Sequence, residues 1–292
     1  MLVRRRILLG LMHLAGEPLA RTKLVKLAFL LSQEEAGTLP AFYDFVPFKF
    51  GAFSFVLYRD VAALLNQGFL AEDGQRWSLA AARRDSVGRS VRDLPGAILG
   101  ALERTVARYG AMPVEELLRL TYSRYPEYAV RSERTDIPAA AGAARPRAEI
   151  AVYTCGYQGG SVDAFFGRLL QAGIETIIDV RFNPVSRNYG LARKSMSAIA
   201  ADLGIEYAHR PELGIPPERR RNLDEAGARE GLLDWYRDEF LPGKAEAVEL
   251  VAEELKRRPA ALVCMEADVR CCHRGRLAEA VAERAGLPVK HL

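Results

Sequence analysis

Apolar residues recur along the chain with two different periods, and the change from one to the other divides it. In the first part the period is helical. "LVRRRILLGLMHLAG" runs to Gly16, and "ARTKLVKLAFLLSQEEAG" follows with Leu24, Leu27, Ala28, Leu30 and Leu31 on one face. Ser54 is placed to open a helix that continues through Leu65 and that Gly68 closes. "FLAEDGQRWSL" then breaks into two short extended pieces around Asp73-Gly74, a hairpin signal. Further helical patterns lie near 93–109 and 113–123.

In the second part strand and helix alternate. "IAVYTCGY" reads as a buried strand, "SVDAFFGRLLQAG" as a helix and "TIIDVRF" as a second strand. "KSMSAIAADLG" is helical, "IEYAHRPEL" extended, and two helices lie within 225–256. "AALVCMEA" is a strand, "HRGRLAEAVAERAG" a helix and "LPVKHL" a last strand. Such alternation predicts an α/β domain with a mainly parallel sheet and flanking helices. Between the two parts, "RTDIPAAAGAARPRAEI" is rich in Ala, Gly and Pro, which marks a linker. The expected organisation is a mostly helical domain over 1–133, a linker over 134–149 and an α/β domain over 150–292.

Composition narrows the picture. Of 292 residues, 49% are apolar and 27% charged, and no apolar run has the length of a membrane span, so no membrane partner is expected. The start "MLVRRRILLG" imitates a secretory signal, but its arginines lead into a helical pattern without a small-residue cleavage site. Four cysteines, two of them adjacent, make no disulfide framework, which favours a cytoplasmic location. The net charge of +4 is uneven: residues 1–148 carry +6 and residues 149–292 carry −2. A polyanion would therefore be held by the first part.

That first part is similar to the winged-helix domain of the Panacea-type and phage-associated families. The similarity rests on "KLVKLAFLLS" and "FVPFKFGAFSFVLYRDVAALLNQGFL" and covers roughly residues 3–80. It implies DNA binding by a helix in the major groove, or protein docking. Arg4, Arg5, Arg6, Arg21, Lys23, Lys26, Lys49, Arg59 and Arg76 are the expected phosphate contacts.

In the second part three polar clusters follow strands, where an open α/β sheet binds its ligand. Tyr157, Gly159, Gly160 and Ser161 form a turn into a helix, suited to an anion. Asp179 and Arg181 share a face if their strand continues, with Ser186, Arg187 and Asn188 in the loop beyond. Cys264 and Glu266 share a strand face, and Cys272, His273 and Arg274 stand where a helix begins, a place that stabilises a thiolate. His209 ends another strand.

Together "GYQGGSVDAFFGRLLQAGI", "DVRFNPVSRNYG", "GIEYAHRPELG" and "CMEADVRCCHRGRLAEAV" resemble the domain-of-unknown-function family 488 over roughly 150–292. The resemblance implies a Rossmann-like domain with a polar pocket. It also implies Asp179, Arg181, Ser186, Arg187, Cys264, Glu266, Cys272, His273 and Arg274 as site residues.

Several chemistries fit these residues. Cys264, Cys271, Cys272 and His273 could supply sulfur and nitrogen donors, but a metal is not expected, because no CxxC spacing is present and adjacent residues rarely reach one tetrahedral ion. A thiol enzyme is an alternative, since "TIIDVRF" is similar to the acid-arginine strand of rhodanese sulfurtransferases. The favoured reading is a pair of catalytic carboxylates, Asp179 and Glu266, one ionised and one with a raised pKa, cleaving an N-glycosidic bond. Tyr157, Arg181, the loop residues, His209, the cysteines, His273 and Arg274 would bind substrate without a cofactor. With a winged helix attached, the expected substrate is double-stranded DNA with its base flipped into the pocket. A magnesium-dependent nuclease and an effector-sensing regulator without catalysis stay open, and the oligomeric state is not encoded legibly.

Overall fold

A computed structural model describes residues 1–16, 18–137, 143–220 and 227–292. The chain forms two compact units, Met1–Arg145 and Pro146–Leu292. The expected linker is partly packed. Ile137 is buried in the first unit, and residues 146–148 lie against Gly173 in the second. Residues 138–142 of that segment lie outside the described residues.

The first unit contains α1 (Val3–Ala15), β1 (Leu19–Ala20), α2 (Arg21–Glu34), β2 (Val46–Phe48), β3 (Gly51–Phe53) and α3 (Phe55–Asn66). It continues with β4 (Leu70–Asp73), β5 (Arg76–Leu79), α4 (Arg84–Arg92), α5 (Gly96–Tyr109) and α6 (Val114–Arg124). The hairpin β4–β5 turns at Gly74, whose positive φ suits glycine, and β1 pairs with β5 to make a three-stranded sheet. Ser54 caps α3 as its side chain accepts the Leu57 N–H. Ile7–Met12 of α1 and Leu24–Leu31 of α2 are buried without a break, so these two helices lie at the centre of the first unit's core.

Two arginines of the N-terminal cluster have an internal task. Asp60 on α3 has no exposed surface, and Arg4, Arg5 and Tyr43 all donate hydrogen bonds to it. A buried carboxylate needs such partners.

The second unit contains β6 (Val152–Gly156), α7 (Val162–Gln171), β7 (Thr176–Asp179), α8 (Arg193–Asp202), β8 (Glu206–His209) and α9 (Ala228–Trp235). After these come α10 (Ala245–Arg257), β9 (Ala260–Cys264), α11 (His273–Ala285) and β10 (Val289–His291). The strands pair in parallel in the order β10-β6-β9-β7-β8, and helices flank the sheet, the mixed α/β architecture that the alternation predicts. β6, β7 and β9 are buried at every position, which explains their continuous apolar runs. No helix among the described residues is long and apolar enough to cross a membrane.

Candidate functional site

Because the sheet is parallel, β6, β7 and β9 all end at one edge. Gly156 is opposite Cys264 in register, and Asp179 is opposite Val263. Beyond the strands, the Tyr157 and Gln158 amides donate to Met265 O, at 3.1 and 2.9 Å. These bonds carry β9 past Cys264 and fix the segment bearing Glu266.

A pocket of about 120 Å³ opens at this edge, lined by Tyr157, Arg181, Glu266 and the pair Cys272–His273, among others. Glu266 is the sole carboxylate among the described residues lining it. Its Oε2 accepts the Cys264 thiol at 3.3 Å. Burial opposes ionisation of Glu266, but hydrogen bonds from Cys272, a backbone amide and Cys264, with His273 close by, outweigh it and lower the pKa. This corrects the expectation of a raised pKa at Glu266.

Asp179 has a different role from the one its sequence position implies. β7 ends at Asp179, and the chain turns so that Arg181 folds back onto it. Arg181 Nε donates to Asp179 Oδ1 at 2.8 Å and a terminal nitrogen to Oδ2 at 2.6 Å. The Arg181 backbone N–H and the Tyr207 hydroxyl also donate to this carboxylate, at 3.1 and 2.5 Å. Asp179 has no exposed surface and does not line the pocket. The remaining Arg181 nitrogen donates to Tyr157 Oη and Leu191 O, at 2.7 and 2.8 Å. Burial would lower the Arg181 pKa, and Asp179 more than offsets this, so the guanidinium stays charged with its donors committed. The pair is an internal brace for the β7 end and the Tyr157 hydroxyl, so neither residue supplies a free group for substrate.

Arg274 is also structural. It is 2% exposed and donates to Glu266 O and Ala267 O, so it clamps the backbone of the segment it was expected to share with substrate. His209 Nε2 meets Arg181 O at 2.8 Å and steadies the same turn from β8.

Cys272 precedes α11, yet its thiol is buried, and burial together with Cys264 raises its pKa well above the ordinary thiol value. Burial thus works against the thiolate expected at a helix N-terminus. His273 Nε2 meets Val180 O at 3.1 Å, and its Nδ1 faces Cys264 Sγ at 3.8 Å. The ligand atoms of Cys264, Cys272 and His273 all lie within 4.8 Å of one another. The adjacent Cys272 and His273 thus both converge on Cys264, against the expectation that adjacent residues do not reach one ion, while Cys271 stays outside the group.

The Gly159–Ser161 turn is built as expected, but elsewhere. Gly159 has φ +80°, and Ser161 Oγ accepts the Ala164 N–H, capping α7. None of Gly159, Gly160 and Ser161 lines the pocket. Ser186 Oγ accepts the Asn188 N–H, and Arg187 and Asn188 are exposed away from the lining, to which Asn183 and Val185 of that loop contribute instead. Arg220 and Arg229 also border the pocket. Arg220 lies in the Arg-rich run 219–221, whose charge was the available signal; residues 221–226 lie outside the described residues.

The expected phosphate contacts are sorted by the same bookkeeping. Lys26 is 1% exposed and donates to Ala52 O at 2.8 Å, so it is no surface contact. Arg4 and Arg5 hold Asp60, Arg6 bonds Ser90, and Arg21 pairs with Glu72. Lys49 lies 3.5 Å from Glu133 at the surface. Arg59 and Arg76 are exposed and Lys23 is half-buried.

Residues 161–281 match the family model described as Domain of unknown function DUF488. The match takes in the Asp179–Arg181 brace and the whole 264–274 cluster, and starts after Tyr157. No curated protein and no solved structure matches the chain.

Proposed function

We propose that this protein is a DNA-acting hydrolase that cleaves an N-glycosidic bond, with Glu266 as its catalytic carboxylate. The observation that carries the reading is Glu266 itself, a carboxylate with no ion-pair partner among the described residues, its pKa lowered by thiol and backbone hydrogen bonds, set in the wall of a pocket at the carboxyl edge of a parallel sheet. The pocket is small beside the several hundred Å³ of a typical ligand site. It suits one planar ring, with Met265 and Tyr157 as apolar walls and Arg220 and Arg229 at its border.

A larger cleft of about 640 Å³ shares Arg229, Leu233, Cys271 and Cys272 with the pocket. It gives room for the nucleotides on either side of a flipped base. In the reaction Glu266 orients a water and takes its proton as the water oxygen bonds to the sugar C1′. The C1′–N bond breaks, its electron pair leaves with the base, and the departing base takes a proton from solvent while Glu266 returns its own to solvent. The second carboxylate of the sequence-based scheme has no part in this step, since Asp179 is committed to Arg181.

The first unit is read as a winged helix that holds the duplex. The order α1–β1–α2–β2–β3–α3–β4–β5, with β1 added to the β4–β5 hairpin, supports that reading. Lys23 and Arg76 are the contacts it retains.

The test is incubation of end-labelled genomic and modified-phage DNA with the protein, followed by mild alkali. Breaks that appear only after alkali, and fall by about 10²–10⁴-fold in Glu266→Gln, are expected. Breaks before alkali would make the protein a nuclease. A DNA complex without any breaks, in both proteins, would make it a regulator.

A further inference from the structure

The pocket wall carries three buried side chains that a glycosidic reaction through Glu266 does not use. Cys264, at the end of β9, and Cys272 and His273, at the start of α11, are 5% exposed or less. We infer that Cys264 Sγ, Cys272 Sγ and His273 Nδ1 form a zinc site, with its fourth position facing the pocket beside Glu266.

Distances come first. Zinc bonds of ~2.3 Å to sulfur and ~2.0–2.1 Å to nitrogen at tetrahedral angles put ligand atoms about 3.5–3.8 Å apart. Cys264 Sγ and His273 Nδ1 are 3.8 Å apart, and the three ligand atoms lie within 4.8 Å of one another. The grouping therefore needs only a small contraction around an ion.

Orientation is the second argument. With Nε2–H donating to Val180 O, His273 keeps the Nδ1 lone pair for a ligand. Metal-bound histidines commonly have their second nitrogen held by a carbonyl in this way. The Tyr236 ring packs edge-on against the imidazole at 5.2 Å and further fixes its plane.

Donor chemistry is the third. Two thiols and an imidazole select a borderline-soft ion, and zinc is the one that accepts a tetrahedral S₂N set with an open position. The sites in which three protein ligands leave one position free are those that act on water. Glu266, 3.3 Å from Cys264 Sγ, stands where it can accept a proton from that water. Cys271 is exposed and outside the group, which makes it an internal control.

The assignment is independent of the reaction proposed for Glu266, because it is read from metal content without substrate. The full-length protein, purified under reducing conditions and dialysed against zinc chloride, is measured by elemental analysis. Cobalt(II) chloride then replaces zinc for absorption spectroscopy. One zinc per chain is expected, together with thiolate-to-cobalt charge-transfer bands and the intense visible bands of a tetrahedral centre. Cys271→Ser and Glu266→Gln retain both signals, while Cys272→Ser and His273→Gln lose the bound metal. If those two variants misfold, thiol labelling of the native protein decides, with Cys264 and Cys272 protected by zinc and Cys271 modified. Wild-type protein that stays metal-free with reduced thiols, that forms a Cys264–Cys272 disulfide instead, or whose metal content is untouched in Cys272→Ser and His273→Gln, overturns the site. Loss of DNA cleavage in Glu266→Gln with zinc retained separates the two proposals.

Discussion

At the scale of single residues, buried charge sorts the two units. Asp179 and Arg181 satisfy each other with no exposed surface to spare, so removing one leaves the other's charge stranded. Asp179→Asn is expected to cost about 3–5 kcal/mol in urea or guanidinium denaturation. An unchanged stability would mean that the pair is not the brace its bonds describe. Lys26 is the opposite case, a buried amine whose Nζ donates to Ala52 O and has no carboxylate partner among the described residues. Burial lowers its pKa from 10.5 to about 7. Below that value both folded and unfolded chains carry the proton, and the cost of burying it is fully present. Between pH 7 and 10.5 the folded lysine loses its proton while the unfolded one keeps it, so stability rises with pH, by up to ~1.4 kcal/mol per unit. Unfolding measured from pH 6 to 10 should show this rise in the wild type and a flatter profile in Lys26→Met. Parallel profiles for the two proteins would refute it.

At the scale of elements, the site depends on how closely two strand ends approach. A Cβ on Gly156, at the end of β6, would lie 1.9 Å from Glu266 O and 3.0 Å from an Arg274 nitrogen. At 1.9 Å from a backbone oxygen that Arg274 also holds, the added methyl of Gly156→Ala must displace the segment that carries Glu266. An activity loss of roughly 10²-fold is expected in the alkali-dependent cleavage assay, with an overpacking cost of about 1–3 kcal/mol. Gly159→Ala is the comparison: its φ of +80° makes the change strained, but no atom lies within 4 Å of the added Cβ and the residue is outside the pocket. It should lose about 1 kcal/mol of stability and keep its activity. Equal losses in both variants would detach the β6–β9 contact from function.

The same scale explains what was legible in the sequence. The strands β6, β7 and β9 are apolar runs because both faces of the sheet are covered, and their helices show a 3.6-residue period. The hairpin β2–β3 escaped because its strands have three residues each and carry Pro47 and Gly51. α4 escaped because its apolar signal reduces to Val87 and Val91, with Gly88 between them. At the site, strand alternation placed Cys264 and Glu266 correctly at one edge. It also put Arg181 on the side of Asp179, and the two side chains meet although β7 stops at Asp179, but it could not show that they are committed to each other. Nor can linear spacing reveal that His273 and Cys272 meet Cys264 across a folded-back loop.

At the scale of the whole molecule, the +6 charge of residues 1–148 overstates the surface available to a polyanion. Arg4 and Arg5 neutralise a buried aspartate, and Lys26 is inside. What remains for phosphates is a smaller set, including Arg76 on the β4–β5 hairpin and Lys23 at the start of α2. This separates two kinds of arginine by experiment. If Arg76 touches a phosphate, Arg76→Ala lowers the slope of log K against log salt concentration by about 1. Arg5→Ala removes a partner of Asp60 instead, so it should lower thermal stability and leave that slope unchanged in full-length protein that is still folded. Filter binding or fluorescence anisotropy across a salt series, on one duplex, reads both slopes. If Arg5→Ala changes the slope and Arg76→Ala does not, the polyanion lies against α1, and the winged-helix orientation of the duplex must be given up.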